Sequence, residues 1–243
     1  MMNMLWKGVL LIFLWKWKKN NMSNEQSADN ILDARLYELA IQHIKDKQQV
    51  LNLGCGGYLT FEKHLISKRD VNIKCCDFNP MKVPNESEHI KFFEQNVEKL
   101  FNLDSKVDVV TFFEVIEHID ETDILLQNCY NNLKDDGLLI CSLPNLASIY
   151  AWIELLLGFQ PHVIEVSNVC SNFGTGIFGK LNNPNNEPIH HIRGFTLRAI
   201  KEMLNYYNFK VVKVYGYDHR LKRLMKYFPS IAPVNVIVAR KLA

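Results

Sequence analysis

The stretch "VLNLGCGGYLT", Val50 to Thr60, sets three glycines, at 54, 56 and 57, directly behind a short apolar run. The apolar part reads as a buried strand beginning near Gln49. The glycines end it and leave a naked piece of backbone where a ligand can approach without meeting a Cβ. A phosphate-binding P-loop needs Gly-Lys-Ser or Gly-Lys-Thr after its glycines. Tyr58, Leu59 and Thr60 supply no cation, so that reading fails. A dinucleotide fingerprint needs a third glycine where Leu59 stands, while Asp77, downstream of Gly54, suits a ribose in a dinucleotide or a nucleoside site. The glycines alone leave the ligand open.

Working outward, residues 29–45 carry Ile31, Leu32, Leu36, Leu39, Ala40 and Ile44 at helical spacing. After the glycines, "TFEKHLISK" resumes as a helix, "NIKCCD" is a second strand ending at Asp77, and "HIKFFEQ" is a third, left at Asn96. "KVDVVTFF" is an almost unbroken apolar strand, as in the middle of a parallel sheet covered on both faces. "ETDILLQNCYNNLK" is an amphipathic helix that Asp135-Asp136-Gly137 turns into the strand "LLICSLP". Residues 145–195 are rich in Asn, Gly and Pro, with one apolar helix in "ASIYAWIELLLG". Thr196 then caps "LRAIKEMLNYY", and "KVVKVYGY" and "PVNVIVARK" form two late strands. This alternation predicts a doubly wound α/β sheet with right-handed crossovers. Ligands in such sheets sit beyond the carboxyl ends of the strands, which points to Gly54–Gly57, Asp77, Asn96 and Glu114–His118.

The 243 residues suit one domain, and a formal charge of +2 gives no broad basic field for nucleic acid. Six cysteines form no C-x-x-C pair, so reduced thiols in a cytoplasmic protein are expected. The eight-residue apolar run Gly8–Trp15, between Lys7 and Lys16, is far short of the ~20 residues of a spanning helix. Either residues 1–19 lie on an anionic membrane surface, or the folded chain begins at Met22. The expected organisation is an extension over 1–26, a ligand-binding half over 27–144, an acceptor-covering insertion over 145–195, and a C-terminal helix and two strands over 196–243.

"VLNLGCGG", "CDFNP", "FFEVIEH" and "GLLICSLPN" follow one another in a pattern that resembles the class I S-adenosylmethionine-dependent methyltransferases, and the likeness resumes in "HIRGFTLRAIKEML" and "VNVIVARK". The resemblance implies a Rossmann-like seven-stranded sheet with an insertion after strand 5, and methyl transfer to a small, saccharide- or quinone-like acceptor. It places the methionyl part of S-adenosylmethionine against Gly54, Cys55, Gly56 and Gly57, the ribose on Asp77 beside Phe78, the adenine near Asn96 and Val97, and Glu114 close to the cofactor. Two positions depart from the pattern: Tyr58 replaces the usual third glycine, and Asn52 stands where an acid commonly ends strand one.

A hydroxyl acceptor must lose its proton as it attacks, so oxygen methylation needs a base or a metal near the sulfur. If "EVIEHID" is helical, Glu114, Glu117 and His118 share one face. Two roles then compete: His118 as general base, with Glu117 and His191 as catalytic partners, or Glu114, Glu117, His118 and His191 as ligands of a divalent ion, similar to the small-RNA 2′-O-methyltransferases and some quinone O-methyltransferases. His190 and His191 in an extended segment point opposite ways, so only one of them faces the pocket. Trp152, Phe159, Phe173 and Phe178 are candidates for an apolar wall, and Arg220, Lys222, Arg223 and Lys226 for a solvated basic face. The alternatives are a metal-dependent RNA 2′-O-methyltransferase and a silent cofactor-binding regulator.

Overall fold

Seven strands form one sheet in the order β3-β2-β1-β4-β5-β7-β6: β1 (Gln49–Leu53), β2 (Asn72–Asp77), β3 (Ile90–Glu94), β4 (Val107–Phe113), β5 (Leu133–Pro144), β6 (Phe209–Tyr217) and β7 (Val234–Lys241). The computed structural model describes residues 34–78, 88–219 and 221–242, with the backbone alone at Lys222. The expectations for residues 1–33, and for the side chains of Arg220 and Lys222, lie outside the described residues. Leu36–Ala243 is one compact unit.

The first five strands pair in parallel, and β7 runs antiparallel between β5 and β6. Strands in the middle of such a sheet lose both faces to helices and must be apolar throughout. Leu51 and Leu53 of β1 and Val110 and Phe112 of β4 are fully buried on one face, and Val50 and Val109 on the other. Helix α1 spans 34–41 and α2 Thr60–Ile66; Leu36, Ala40, Ile41, Phe61 and Leu65 cover the second face. Helices α3 (Thr122–Asn132) and α6 (Leu197–Tyr206) cover the first with Leu125, Leu126, Cys129, Ile200 and Leu204.

Local chemistry sets the joints. Thr196 caps α6 as its sequence predicts, its Oγ1 accepting from the Ala199 N–H at 3.1 Å. The Asp135-Asp136-Gly137 turn is a bulge inside β5: Val107 pairs with Leu133 but Val109 with Leu138. The insertion after β5 holds α4 (Ile149–Leu156) and α5 (Gly176–Asn182), and its ends meet where the Leu146 N–H donates to the Phe195 carbonyl at 2.8 Å. The expected aromatic wall divides: Phe159 and Phe178 pack edge to face with centroids 5.6 Å apart, whereas Trp152 and Phe173 are exposed. Among the described residues no helix is long and apolar enough to cross a membrane.

Two asparagines one turn apart on α3 hold the loop that leaves β3. The Asn128 amide donates to the Val97 and Lys99 carbonyls at 2.9 and 3.0 Å, and its oxygen accepts from the Phe101 N–H at 3.0 Å. Asn132 repeats the device with the Phe101 carbonyl and the Leu103 N–H. Removing a side chain that satisfies three backbone groups leaves them without partners, at about 1–3 kcal/mol per buried group. Asn128→Ala should therefore lower unfolding free energy by roughly 2–4 kcal/mol in urea titrations, whereas exposed Asn131→Ala should stay within about 0.5 kcal/mol of the parent.

Candidate functional site

The loops at the carboxyl ends of β1, β2, β3 and β4 carry the sequence-predicted residues. Gly54 and Gly56 have φ of +74° and +61°, which L side chains rarely adopt. At Gly54 a Cβ would also lie 2.6 Å from Cγ2 of Val115, so the glycine turn and the segment after β4 are in direct contact. At Gly56 a Cβ would meet nothing within 4 Å. That open, exposed backbone fits a ligand's close approach.

Asp77 turns toward this bend: its Oδ2 accepts from the Gly56 N–H at 3.1 Å. Phe78 beside it is 67% exposed, an aromatic face available to a stacked base. Tyr58 is 85% exposed and leaves the hollow unplugged. Three expected contacts are narrower than the sequence implies. Cys55 buries its side chain and donates its N–H to the Cys76 carbonyl at 3.1 Å. Val97 packs its side chain into the core, and Asn96 Oδ1 already accepts from the Glu98 N–H at 2.8 Å, which leaves it a second lone pair. Asn52 does not face the bend at all. Its Oδ1 accepts from Thr111 Oγ1 and its Nδ2 donates to Glu62 Oε1, both at 2.7 Å, so the buried acid of this region is Glu62. Burial pushes the Glu62 carboxyl up to about 7.

The "EVIEH" segment is not the continuous helix expected. Glu114 has φ +51° and accepts from Ser142 Oγ at 2.6 Å, and only Ile116–His118 form a single 3-10 turn. The bend separates Glu114 from the cluster that does form. Glu117, His118 and His191 each present a ligand atom within 4.8 Å of the others, and Glu114 is not among them. The His118 and His191 rings stand 4.8 Å apart at 61°. Their Nδ1 atoms lie 3.1 Å from the His190 carbonyl and 2.9 Å from the Val163 carbonyl. A carbonyl only accepts, so both Nδ1 atoms carry the proton and both Nε2 atoms keep a lone pair. Those lone pairs converge on Glu117 Oε1, at 3.9 and 4.0 Å. The separations are too long for hydrogen bonds and leave room for an ion that the three side chains would close around. Ring nitrogens fixed by backbone carbonyls are also the arrangement that orients histidine ligands.

Glu117 is 1% exposed, and neither carboxylate oxygen has a hydrogen-bond partner among the described residues. Its backbone carbonyl accepts from the Ile192 and Arg193 N–H groups at 2.9 and 3.1 Å, which ties the insertion's last segment to the turn. Burial first, and the Glu114 carboxylate second, push its carboxyl up to about 9. Burial lowers His191 and so favours its neutral, ligand-competent form. As expected, one of the adjacent histidines faces the cluster. His190 has φ +59° and is held through its backbone, its N–H donating to Glu165 Oε2 at 2.6 Å.

The sequence reading missed a second histidine–carboxylate pair. His162 Nδ1 lies 2.6 Å from Oε1 of buried Glu154, and the His162 N–H donates to Oε2 at 3.1 Å. His162 stands one residue before Val163, whose carbonyl orients His191. Only the i, i+8 spacing of the two residues linked them in the sequence, and that spacing carries no signal for an irregular insertion.

Glu117 makes stability depend on pH. The folded chain keeps this proton up to about 9, whereas the unfolded chain releases it near 4.5. Its contribution is therefore full below 4.5 and is lost as pH rises toward 9. In chelator-treated protein, Glu117→Gln should raise the unfolding midpoint by several degrees at mildly alkaline pH, and the gain should vanish in mild acid. Calorimetry across that range measures both.

A family model described as a methyltransferase domain matches residues 24–214. Among curated proteins, the ubiquinone biosynthesis O-methyltransferase of Glaesserella parasuis is 26% identical over 141 residues, covering 51% of this chain and 59% of its own length. That of Coxiella burnetii is 27% identical over 118 residues, covering 46% and 50%. The chain thus spans about half the length of the curated relatives it matches. Among solved structures, an S-adenosylmethionine-dependent methyltransferase from Archaeoglobus fulgidus superposes with a TM-score of 0.57 at 18% identity, covering 95% of this chain and 99% of its own. The sheet order, the glycine bend and the family match converge: this chain belongs to the methyltransferase-domain family and has the class I, S-adenosylmethionine-dependent architecture.

Proposed function

We propose that the chain methylates a hydroxyl oxygen on a small, phenol- or saccharide-like acceptor, with a divalent cation held by Glu117, His118 and His191. The observation that carries this reading is the convergence of two Nε2 lone pairs on a buried carboxylate with no hydrogen-bond partner. The partial likeness to ubiquinone biosynthesis O-methyltransferases supports a phenolic hydroxyl.

S-adenosylmethionine, when bound, supplies a methyl group on a sulfonium, which is electrophilic without further activation. The open, exposed backbone at Gly56 and Gly57 receives its methionyl end. Asp77 accepts the ribose hydroxyl protons, each charge-assisted bond contributing about 1.5–3 kcal/mol. Phe78 offers a ring to the adenine, and Asn96 offers its remaining lone pair. Glu114, held by Ser142, stays on the cofactor side of the bend at Val115. A divalent ion, when bound, would lower the pKa of a coordinated hydroxyl and fix its orientation. The chain's part is to turn the Nε2 atoms of both rings toward Glu117, through the Nδ1 contacts to backbone carbonyls, and to keep the Glu117 side chain dry. In a variant reading without the ion, His118 Nε2 accepts the acceptor's proton directly. The insertion over 145–195 covers the acceptor, since its last segment, 190–193, carries His191 and is bonded to Glu117.

Transfer of labelled methyl from S-adenosylmethionine to catechol-type acceptors, with and without chelator, tests the assignment. Activity should vanish on removal of divalent ions and return with magnesium or manganese. Chelator-insensitive turnover would transfer the role to His118 alone, and absence of cofactor binding would end the proposal. Asp77→Ala should raise the dissociation constant of S-adenosylhomocysteine about 10–100-fold in calorimetric titration. His118→Ala should leave that constant unchanged while lowering kcat by about 100-fold or more.

A further inference from the structure

We infer that a soft divalent cation of the zinc class binds beneath the glycine turn, on Cys55 Sγ, Cys75 Sγ and Glu62 Oε2. This site is separate from the Glu117 cluster and does not depend on the function proposed above. The three ligand atoms lie within 4.8 Å of one another although they come from three elements: the turn after β1, strand β2 and the first helical turn of α2. That spacing suits zinc–sulfur bonds of about 2.3 Å and a zinc–oxygen bond of about 2.0–2.2 Å.

The second observation is the state of Glu62. It is fully buried, and its Oε1 accepts from Asn52 Nδ2 at 2.7 Å, which fixes the plane of the carboxylate. Its Oε2 has no hydrogen-bond partner among the described residues. A carboxylate oxygen kept from water without a donor is costly unless a proton or a cation meets it. The neighbours that could meet it are the two thiols, weak donors, and as thiolates the preferred ligands of soft cations. Asn52 and Thr111 then act as the outer shell that orients the oxygen ligand. Because Gly56 and Gly57 are exposed next to buried Cys55, an ion reaches the cluster through the turn itself. Once there, it pins the cofactor-binding bend to β2 and to α2.

The test is cadmium NMR on the intact chain, followed by cobalt titration. Cadmium should give a resonance in the thiolate-ligated region, distinct from the nitrogen- and oxygen-ligated signal expected of the Glu117 cluster. Cobalt should give a thiolate-to-metal charge-transfer band of one-to-one stoichiometry. Cys75→Ser should abolish that band, Glu62→Gln should weaken cobalt binding at least tenfold, and Cys170→Ser should leave it intact. A cadmium signal only in the nitrogen- and oxygen-ligated region, or a thiolate band that follows Cys170 instead of Cys75, would overturn the inference. The cadmium measurement needs no substitution, so it decides even if a core variant fails to fold.

Discussion

The contact between Gly54 and Val115 is the constraint on which the rest of the site depends. A left-handed backbone at the end of β1 lets the segment after β4 come within van der Waals reach, and any side chain there would hold the two strand tips apart. From that contact the remaining positions follow. The Gly56 N–H swings toward β2 and meets Asp77, and the bend at Glu114 directs Glu117 inward toward the insertion. One missing Cβ thus joins the glycine turn to the segment that carries Glu117 and His118 of the histidine–carboxylate cluster.

The chain handles three of its buried carboxylates differently. Glu62 takes one hydrogen bond from an asparagine placed where an acid is more usual, so two acids do not crowd the same strand end. Glu154 is matched by both a ring nitrogen and a backbone N–H of His162. Glu117 is met by two lone pairs, which offer it no proton. A buried carboxyl without a hydrogen-bond partner among the described residues is costly to keep ionised, which is why its proton is held so far above the usual carboxylate range.

The sheet was legible because its signals are local. Apolar runs of the right length in β1, β2 and β4, the Thr196 cap and the glycine bend each announce themselves within a few residues. The metal-type cluster was legible in its members but not in its shape. Helical spacing linked Glu114 to Glu117 and His118, but a left-handed residue at Glu114 breaks that register and hands its place to His191. The partners that only tertiary packing brings together were not legible. Asn128 and Asn132 look like ordinary polar positions on α3, Glu62 like a charge in a first helical turn, and His162 and Glu154 like unrelated residues in an irregular stretch. Each acquires its role from a neighbour tens of residues away or from a loop with no periodicity.

The position of β7 has a consequence for biogenesis. This last strand lies between β5 and β6, and Val236, Ile237, Val238 and Ala239 are wholly enclosed. During synthesis, β6 therefore emerges from the ribosome before β7, its one pairing partner among the described residues, and β5 waits with an open hydrogen-bonding edge. Nascent chains arrested before Val234 would carry two unsatisfied sheet margins and an unroofed apolar layer, a state that invites chaperone capture. Completion of the sheet therefore waits for Val234–Lys241 to be made.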